Sequence, residues 1–337
     1  FVPGLRPQDA IALPLRDVLD LLRRRYGTAV DTALSPEAAD LATPLHDLPP
    51  DVRSPRASDT DTTWLQRTNM VGINVRTVGD YGGVVKYALT LPHALDSIHL
   101  LPVWEPGVVE SLYGPSSWNL NTEFFSDELY ELAPHLDSTP RQLRATVNVL
   151  HVMGKTVGMD VIPHTDRFSE AAVGTPRLFE WMRLADRRIV DHSDGLATTV
   201  EEAVFAWLEA CGSATPDVAV PGDVRDLFAR PEEERLALLF GPPHDVLGRT
   251  RRRVELIRSL KGDGLEPVPA TMGVPFRGIE VDADHVVVDD HGMEWTDYVI
   301  SEPQAQSRVF SPLARYKLYG RLNDNADWAI DFSRPRT

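Results

Sequence analysis

GKTVGMDVIPHTDRFSE, residues 154–170, decides the fold. Its first part, KTVGMDVIP (155–163), is a short apolar run between Gly154 and Pro163, the pattern of a buried strand. The second part changes character: Asp160, His164, Thr165, Asp166 and Arg167 crowd the end of that strand.

The segment before it, STPRQLRATVNVLHVMG (138–154), has helical spacing, with Leu143, Val147 and Leu150 on one face. Ser138 or Thr139 supplies a cap and Gly154 a stop. Further upstream, NMVGINVRT (69–77) predicts a strand, and GDYGGVVKYALTLPHAL a glycine turn and a helix. DSIHLLPVWE (96–105) predicts a second strand ending in Trp104 and Glu105. Three strand–helix steps at this spacing predict a parallel sheet, in barrel or open form.

Outside this core the texture differs. IALPLRDVLDLLRRRYG sets Leu15, Val18, Leu19 and Leu22 at helical spacing, with Gly27 as a stop. The Pro-, Ser- and Asp-rich stretch up to Thr63 predicts a linker. Residues 171–265 are expected to be mostly helical, in PRLFEWMRLADRRIV, TTVEEAVFAWLEACG, PEEERLALLFG and GRTRRRVELIRSLKG. FRGIEVDADHVVVDDHGMEWTDYVI (276–300) predicts a hairpin, with turns at Asp-Ala-Asp and Asp-Asp-His-Gly.

Composition narrows the function classes. A net charge of −16 over 337 residues disfavours a nucleic-acid partner, whose phosphates need basic surface. No run of 18 apolar residues occurs, so no membrane-spanning helix is expected. Cys211 is the only cysteine, which excludes an internal disulfide and suits a cytoplasmic location. No G-x-S-x-G, P-loop, G-x-G-x-x-G or H-E-x-x-H motif is present, which leaves nucleophilic-serine, kinase, dinucleotide and zincin chemistry without support. No metal or cofactor is expected.

In parallel α/β folds, ligands bind beyond the carboxyl ends of the strands. That rule selects Trp104, Glu105, Asp160, His164, Thr165, Asp166 and Arg167, together with the aromatic loop carrying Tyr113 and Trp118. Rings beside carboxylates, imidazole and guanidinium suit a sugar, which stacks its CH faces and hydrogen-bonds its hydroxyls. Each residue also has an ordinary structural use: Asp160 as a cap or ion-pair partner, His164 as a satisfied histidine, Trp118 as packing.

The succession HALDSIHLLPVWE, YGPSSWNLN and STPRQLRATVNVLHVMGKTVGMDVIPHTD resembles the first three β/α units of the α-amylase superfamily, glycoside hydrolase family 13. His151 and Gly154 match that family's helix end, and Asp160 its strand-three aspartate. NDNADWAIDFSRPR resembles the approach to its fourth strand. The family's Asn-His pair appears as Pro163-His164. With one residue deleted, His164 is the substrate-contacting histidine; in the unshifted register Thr165 takes that place. Without the Asn, no calcium is expected.

The resemblance implies a (β/α)8 TIM barrel of which this chain carries strands 1–3. Its parts are a helical N-terminal extension and linker (1–63), three β/α units (64–165), an enlarged α+β insertion (166–320) and a lead-in to strand four (321–337). It implies a retaining hydrolase or transglycosylase acting on the α-glucosidic linkages of an oligo- or polysaccharide. Tyr113, Trp118, Asp160, His164, Thr165 and Arg167 would bind substrate, with Tyr113 or Trp118 as the stacking ring. The nucleophile and acid/base are expected after Thr337, with the remaining half of the barrel supplied by the same protein. A catalytically inactive carbohydrate-binding or scaffold protein is the alternative.

Overall fold

The structure is a computed structural model that describes residues 2–106, 112–160, 162, 164–167, 169–183, 185, 188–189, 196–243 and 245–268. Beyond these it describes the strands 278–288, 294–302, 307–308, 313–315, 319–321 and 328–330. For His164, Arg188, Ile189, Val246 and the strands beyond residue 268, the description is of the backbone. The chain forms two compact units, Phe1–Glu105 with Asn119–Val161, and Pro106–Trp118 with Ile162–Thr337.

The first unit begins with helices α1 (Pro7–Ile11), α2 (Leu15–Tyr26), α3 (Ala29–Ala33) and α4 (Pro36–Ala39). In α2, Leu15, Val18, Leu19 and Leu22 are all buried, as their spacing predicts. Full burial of one such side chain stabilises by about 1.5–3 kcal/mol. Gly27 closes the helix with φ 62°, a conformation that favours glycine.

Strand β1 (Met70–Ile73) follows, then α5 (Val75–Val78), α6 (Tyr81–Ala88) and β2 (Ser97–Leu100). In chain order come β3 (Trp104–Pro106) and β4 (Pro115–Leu120), whose residues 106–118 count with the second unit, then α7 (Asp127–Leu132), α8 (Thr139–Val152) and β5 (Thr156–Met159). The corner between α5 and α6 is tight: a Cβ on Gly83 would lie 2.0 Å from the Val78 carbonyl oxygen.

β1, β2 and β5 form a three-stranded parallel sheet in that order, so the fold is mixed α/β with a parallel core. The order never reverses, and right-handed crossovers advancing in one direction put α6 and α8 on the same face. The two helices pack against each other, and α8 packs on β5. Ile73, Ile98 and Leu100 share one face of the sheet and are buried.

The buried side of α8 is not the predicted apolar stripe. Leu150 is buried, but Leu143 and Val147 are only half-buried, while Gln142, Thr146 and Asn148 lie in the interior. Their partners explain the exchange. Gln142 donates to the Ser126 and Leu136 carbonyls and accepts from the Ser126 amide. Asn148 donates to the Ala33 and Ala38 carbonyls, and Arg144 to those of Ala38 and Thr43.

His151 Nδ1 donates to the Val52 carbonyl at 3.0 Å. Irregular backbone must find partners when buried, and α8 supplies them. The segment expected as extension and linker therefore packs in the same unit as the sheet. Ser138 occupies the N-cap of α8, but its side chain makes no capping bond.

The second unit contains β6 (His164–Asp166), α9 (Glu170–Gly174), β7 (Trp181–Arg183) and β8 (Arg188–Ile189). Four helices follow: α10 (Ala197–Cys211), α11 (Val224–Phe228), α12 (Glu232–Phe240) and α13 (Val246–Gly262). The strands beyond them are β9 (Leu265–Pro267), β10 (Gly278–Val288), β11 (Glu294–Glu302), β12 (Ser307–Arg308), β13 (Leu313–Arg315), β14 (Tyr319–Arg321) and β15 (Trp328–Ile330). Its core joins Val200, Val204 and Leu208 of α10 to Leu238, Leu239 and Phe240 of α12 and to Leu256, Ile257 and Leu260 of α13.

Two expectations change here. The described residues of PRLFEWMRLADRRIV form no α-helix: a 3-10 turn at Pro176–Leu178 leads into β7, antiparallel to β9. The hairpin pairs β10 with β11, but Asp-Ala-Asp is no turn; the strand continues through it with a register shift between Asp282 and Val286. In the tail, β15 pairs antiparallel with β14.

Candidate functional site

The carboxyl edge of the parallel sheet is where β2 and β5 release their polar residues. Asp160 follows β5 directly, its amide bonded to the Leu100 carbonyl. Its Oδ1 lies 2.7 Å from Nε2 of His99, a residue within β2. Both side chains are about 70% enclosed, with 28% of His99 and 29% of Asp160 exposed. Trp104 Nε1 donates to the Asp160 carbonyl at 3.3 Å, which fixes the backbone beneath the carboxylate.

The strand pairing explains why His99 reaches this far. In the parallel register, Gly72 of β1 and Gly158 of β5 flank it on either side. A Cβ on Gly158 would come within 3.1 Å of His99 Nδ1, so the glycine gives the ring its room. On the other side, a Cβ on Gly72 would meet only Leu101, at 3.8 Å. On the same face, one step toward the amino ends of the strands, Thr156 Oγ1 donates to Ser97 Oγ at 2.8 Å. The edge therefore presents an imidazole–carboxylate pair on a floor without side chains at either flank.

Of the residues predicted to bind substrate, only Asp160 belongs to this unit; Tyr113, Trp118, His164, Thr165 and Arg167 belong to the other. His164 opens β6, paired across the ladder with Arg315 of β13. Thr165 and Arg167 lie in the interior. Thr165 Oγ1 shares a hydrogen bond with Ser169 Oγ at 2.8 Å. Arg167 Nη2 donates to Glu266 Oε2 at 2.9 Å, with both side chains fully enclosed. Lys261 Nζ lies 3.6 Å from the other Glu266 oxygen.

This cluster is structural in its chemistry: an interior guanidinium needs a carboxylate, and Glu266 supplies it from β9. Trp118 stacks on Phe179 at 6.2 Å and 28° and packs against the helical core, so one face of its ring is occupied by protein. Tyr113 is 47% exposed.

A cleft of about 640 Å³ opens in the second unit among α10, α11 and α12. Arg177, Thr198, Glu201, Arg225, Phe228 and Arg235 are among its lining residues, and none was predicted from sequence. Its best-placed cations already have partners. Arg235 donates to the Gly174, Phe228 and Arg230 carbonyls, and Arg177 pairs with Glu201 at 2.7 Å. We therefore favour the sheet edge as the site of chemistry.

Among the described residues, no group of three or more His, Cys, Asp or Glu side chains is arranged to hold a metal ion. None of the described helices is long and apolar enough to cross a membrane. A scan against protein-family models gives no match, and a search of curated proteins gives none.

His99 is the residue that sequence reasoning missed. Its partner lies 61 positions away, beyond the reach of local patterning. The available signal was Gly158, a glycine interrupting an apolar strand, which marks a place where something approaches closely.

Proposed function

We propose that this chain forms the first three strands of an α-amylase-type (β/α)8 barrel and takes part in cleavage or transfer of α-glucosidic linkages by a retaining mechanism. One observation carries the proposal: Asp160 stands at the carboxyl end of the third parallel strand of a sheet that winds in one direction only. A doubly wound sheet reverses its order and puts helices on both faces, whereas a barrel keeps every crossover helix on the outside. In this proposal Asp160 shapes the sugar pocket at the carboxyl edge of the sheet. The chemistry of the family is a double displacement by two carboxylates about 5 Å apart, neither assigned to a residue of this chain.

Calorimetric titration with maltotriose and maltopentaose, alongside a reducing-sugar assay on starch, tests the proposal. Binding by the wild type, weakened tenfold or more in Asp160→Ala, is the expected result; a loss of that size corresponds to about 1.4 kcal/mol. Absence of any α-glucan binding, with no reducing sugar released, refutes it. The burial of Thr165 and Arg167 in structural contacts favours a second reading, a carbohydrate-binding or scaffold protein without chemistry. That reading predicts binding without release of reducing sugar.

A further inference from the structure

The cleft of about 640 Å³ among α10, α11 and α12 encloses a carboxylate that the chain supplies incompletely. Glu201 lines it from α10 with only 8% of its side chain exposed. An ionised carboxylate has about four lone-pair sites, and an enclosed charge is costly unless it is paired and hydrogen-bonded. Among the described residues Glu201 receives one donor, Arg177 Nη2 at 2.7 Å from Oε2. That guanidinium stands on the rim, 57% exposed, and also donates to Thr198 Oγ1 at 3.3 Å. Oε1 is left to whatever fills the cleft.

Positive charge is presented there as well. Arg225 lines the cleft from α11, is exposed, and has no partner among the described residues. Leu178, Val224 and Phe228 add an apolar wall. Arg235 lies 5.4 Å from the Phe228 ring centroid, so one face of that ring is taken by protein rather than open for a sugar to stack on. A simple anion would meet Glu201, and a simple cation would meet Arg177 and Arg225, so like charge opposes both. A ligand carrying both signs satisfies both groups, through charge-assisted hydrogen bonds roughly twice as strong as neutral ones. The volume is within the range of about 300–1,000 Å³ usual for small-molecule sites and roomier than a single amino acid needs.

We propose that this cleft binds a short zwitterionic peptide with apolar side chains: its amino terminus on Glu201, its carboxylate on Arg225, and its side chains against Leu178, Val224 and Phe228. No bond is made or broken there. The assignment is independent of the α-glucan reading, because every residue it uses belongs to the second unit and Asp160 to the first.

The test is calorimetric titration of the intact chain with leucyl-leucine, N-acetyl-leucyl-leucine and leucyl-leucine amide, which differ by one terminal charge at a time. The free dipeptide should bind, and each blocked form about tenfold more weakly. Arg225→Gln changes an exposed side chain without partners and so leaves the fold intact. It should weaken the free dipeptide about tenfold and bind the amide, which has no carboxylate, as the wild type does. Glu201→Gln should show the mirror pattern, weakening the free dipeptide and sparing the N-acetyl form.

Absence of binding by leucyl-leucine overturns the proposal. Equal affinity for all three peptides also overturns it, because the cleft would then read apolar surface and no charge. Displacement of bound dipeptide by maltotriose would make the cleft a sugar site and overturn the peptide assignment. If maltotriose does not bind and the dipeptide pattern holds, the α-glucan reading falls and the peptide site stands.

Discussion

Arg167→Met separates the two roles that sequence and structure give this residue. Methionine keeps much of the apolar volume and removes the charge, leaving the Glu266 carboxylate in the interior with the Lys261 ammonium 3.6 Å away. Removing one partner of a buried ion pair costs about 3–5 kcal/mol. Lys261 offsets part of this, so we expect about 3 kcal/mol, a large share of the roughly 5–15 kcal/mol that holds a domain together.

With a urea slope of about 2 kcal/mol per molar, the unfolding midpoint should drop by about 1.5 M. Tryptophan fluorescence is a suitable probe, because Trp181 lies in β7, the partner strand of β9 that carries Glu266. The double variant Arg167→Met/Glu266→Leu removes both charges and should recover most of the loss, since apolar replacement of a whole buried pair is often neutral. A midpoint in Arg167→Met within about 0.3 M of wild type, the spread of a near-neutral substitution, would refute the reasoning. If such a variant also lost maltotriose affinity, Arg167 would belong on the sugar, as its position in the sequence suggested.

Two further outcomes follow from the first unit. Burial pushes the His151 imidazole below its ordinary range and outweighs the bond to the Val52 carbonyl. The unfolded ring takes up a proton near pH 6.5 while the folded ring resists, so the unfolded state binds more protons and stability falls as pH drops below that value. Thermal melts from pH 7.5 to 5 should therefore decline more steeply in wild type than in His151→Gln, and parallel curves would show that this ring does not contribute. Gly83→Ala drives a methyl group into the Val78 carbonyl and should cost about 3 kcal/mol, at the upper end for overpacking. A circular-dichroism melt within a degree of wild type would show that the α5–α6 corner yields freely.

Local sequence carried the elements whose stability is local. The α2 stripe of Leu15, Val18, Leu19 and Leu22 is buried as spaced, and the short apolar runs around Val71, Ile98 and Val157 do pair in parallel. The failures share a cause. Phe179, Trp181 and Met182 lie in an extended stretch whose partner, β9, is more than 80 residues on, and nothing nearby announces it. On α8, the polar Gln142, Thr146 and Asn148 sit inside because distant carbonyls need them, a demand that hydrophobic periodicity does not record. At the candidate site, the place of Asp160 at a strand end was legible; its pairing with His99 was not, because that depends on which strand lies beside β2.

The bonds from α8 to the N-terminal carbonyls also set an order of assembly. Asn148 reaches Ala33 across 115 positions, Arg144 reaches Ala38 across 106, and His151 reaches Val52 across 99. Contacts of such separation close late, because a long loop must be ordered before they reward it. As the chain emerges from the ribosome, α2 can form on its own spacing, but the carbonyls of Ala33, Ala38, Thr43 and Val52 must wait for α8 to appear. These carbonyls, made well before α8, are thus among the last groups of this unit to be locked in place.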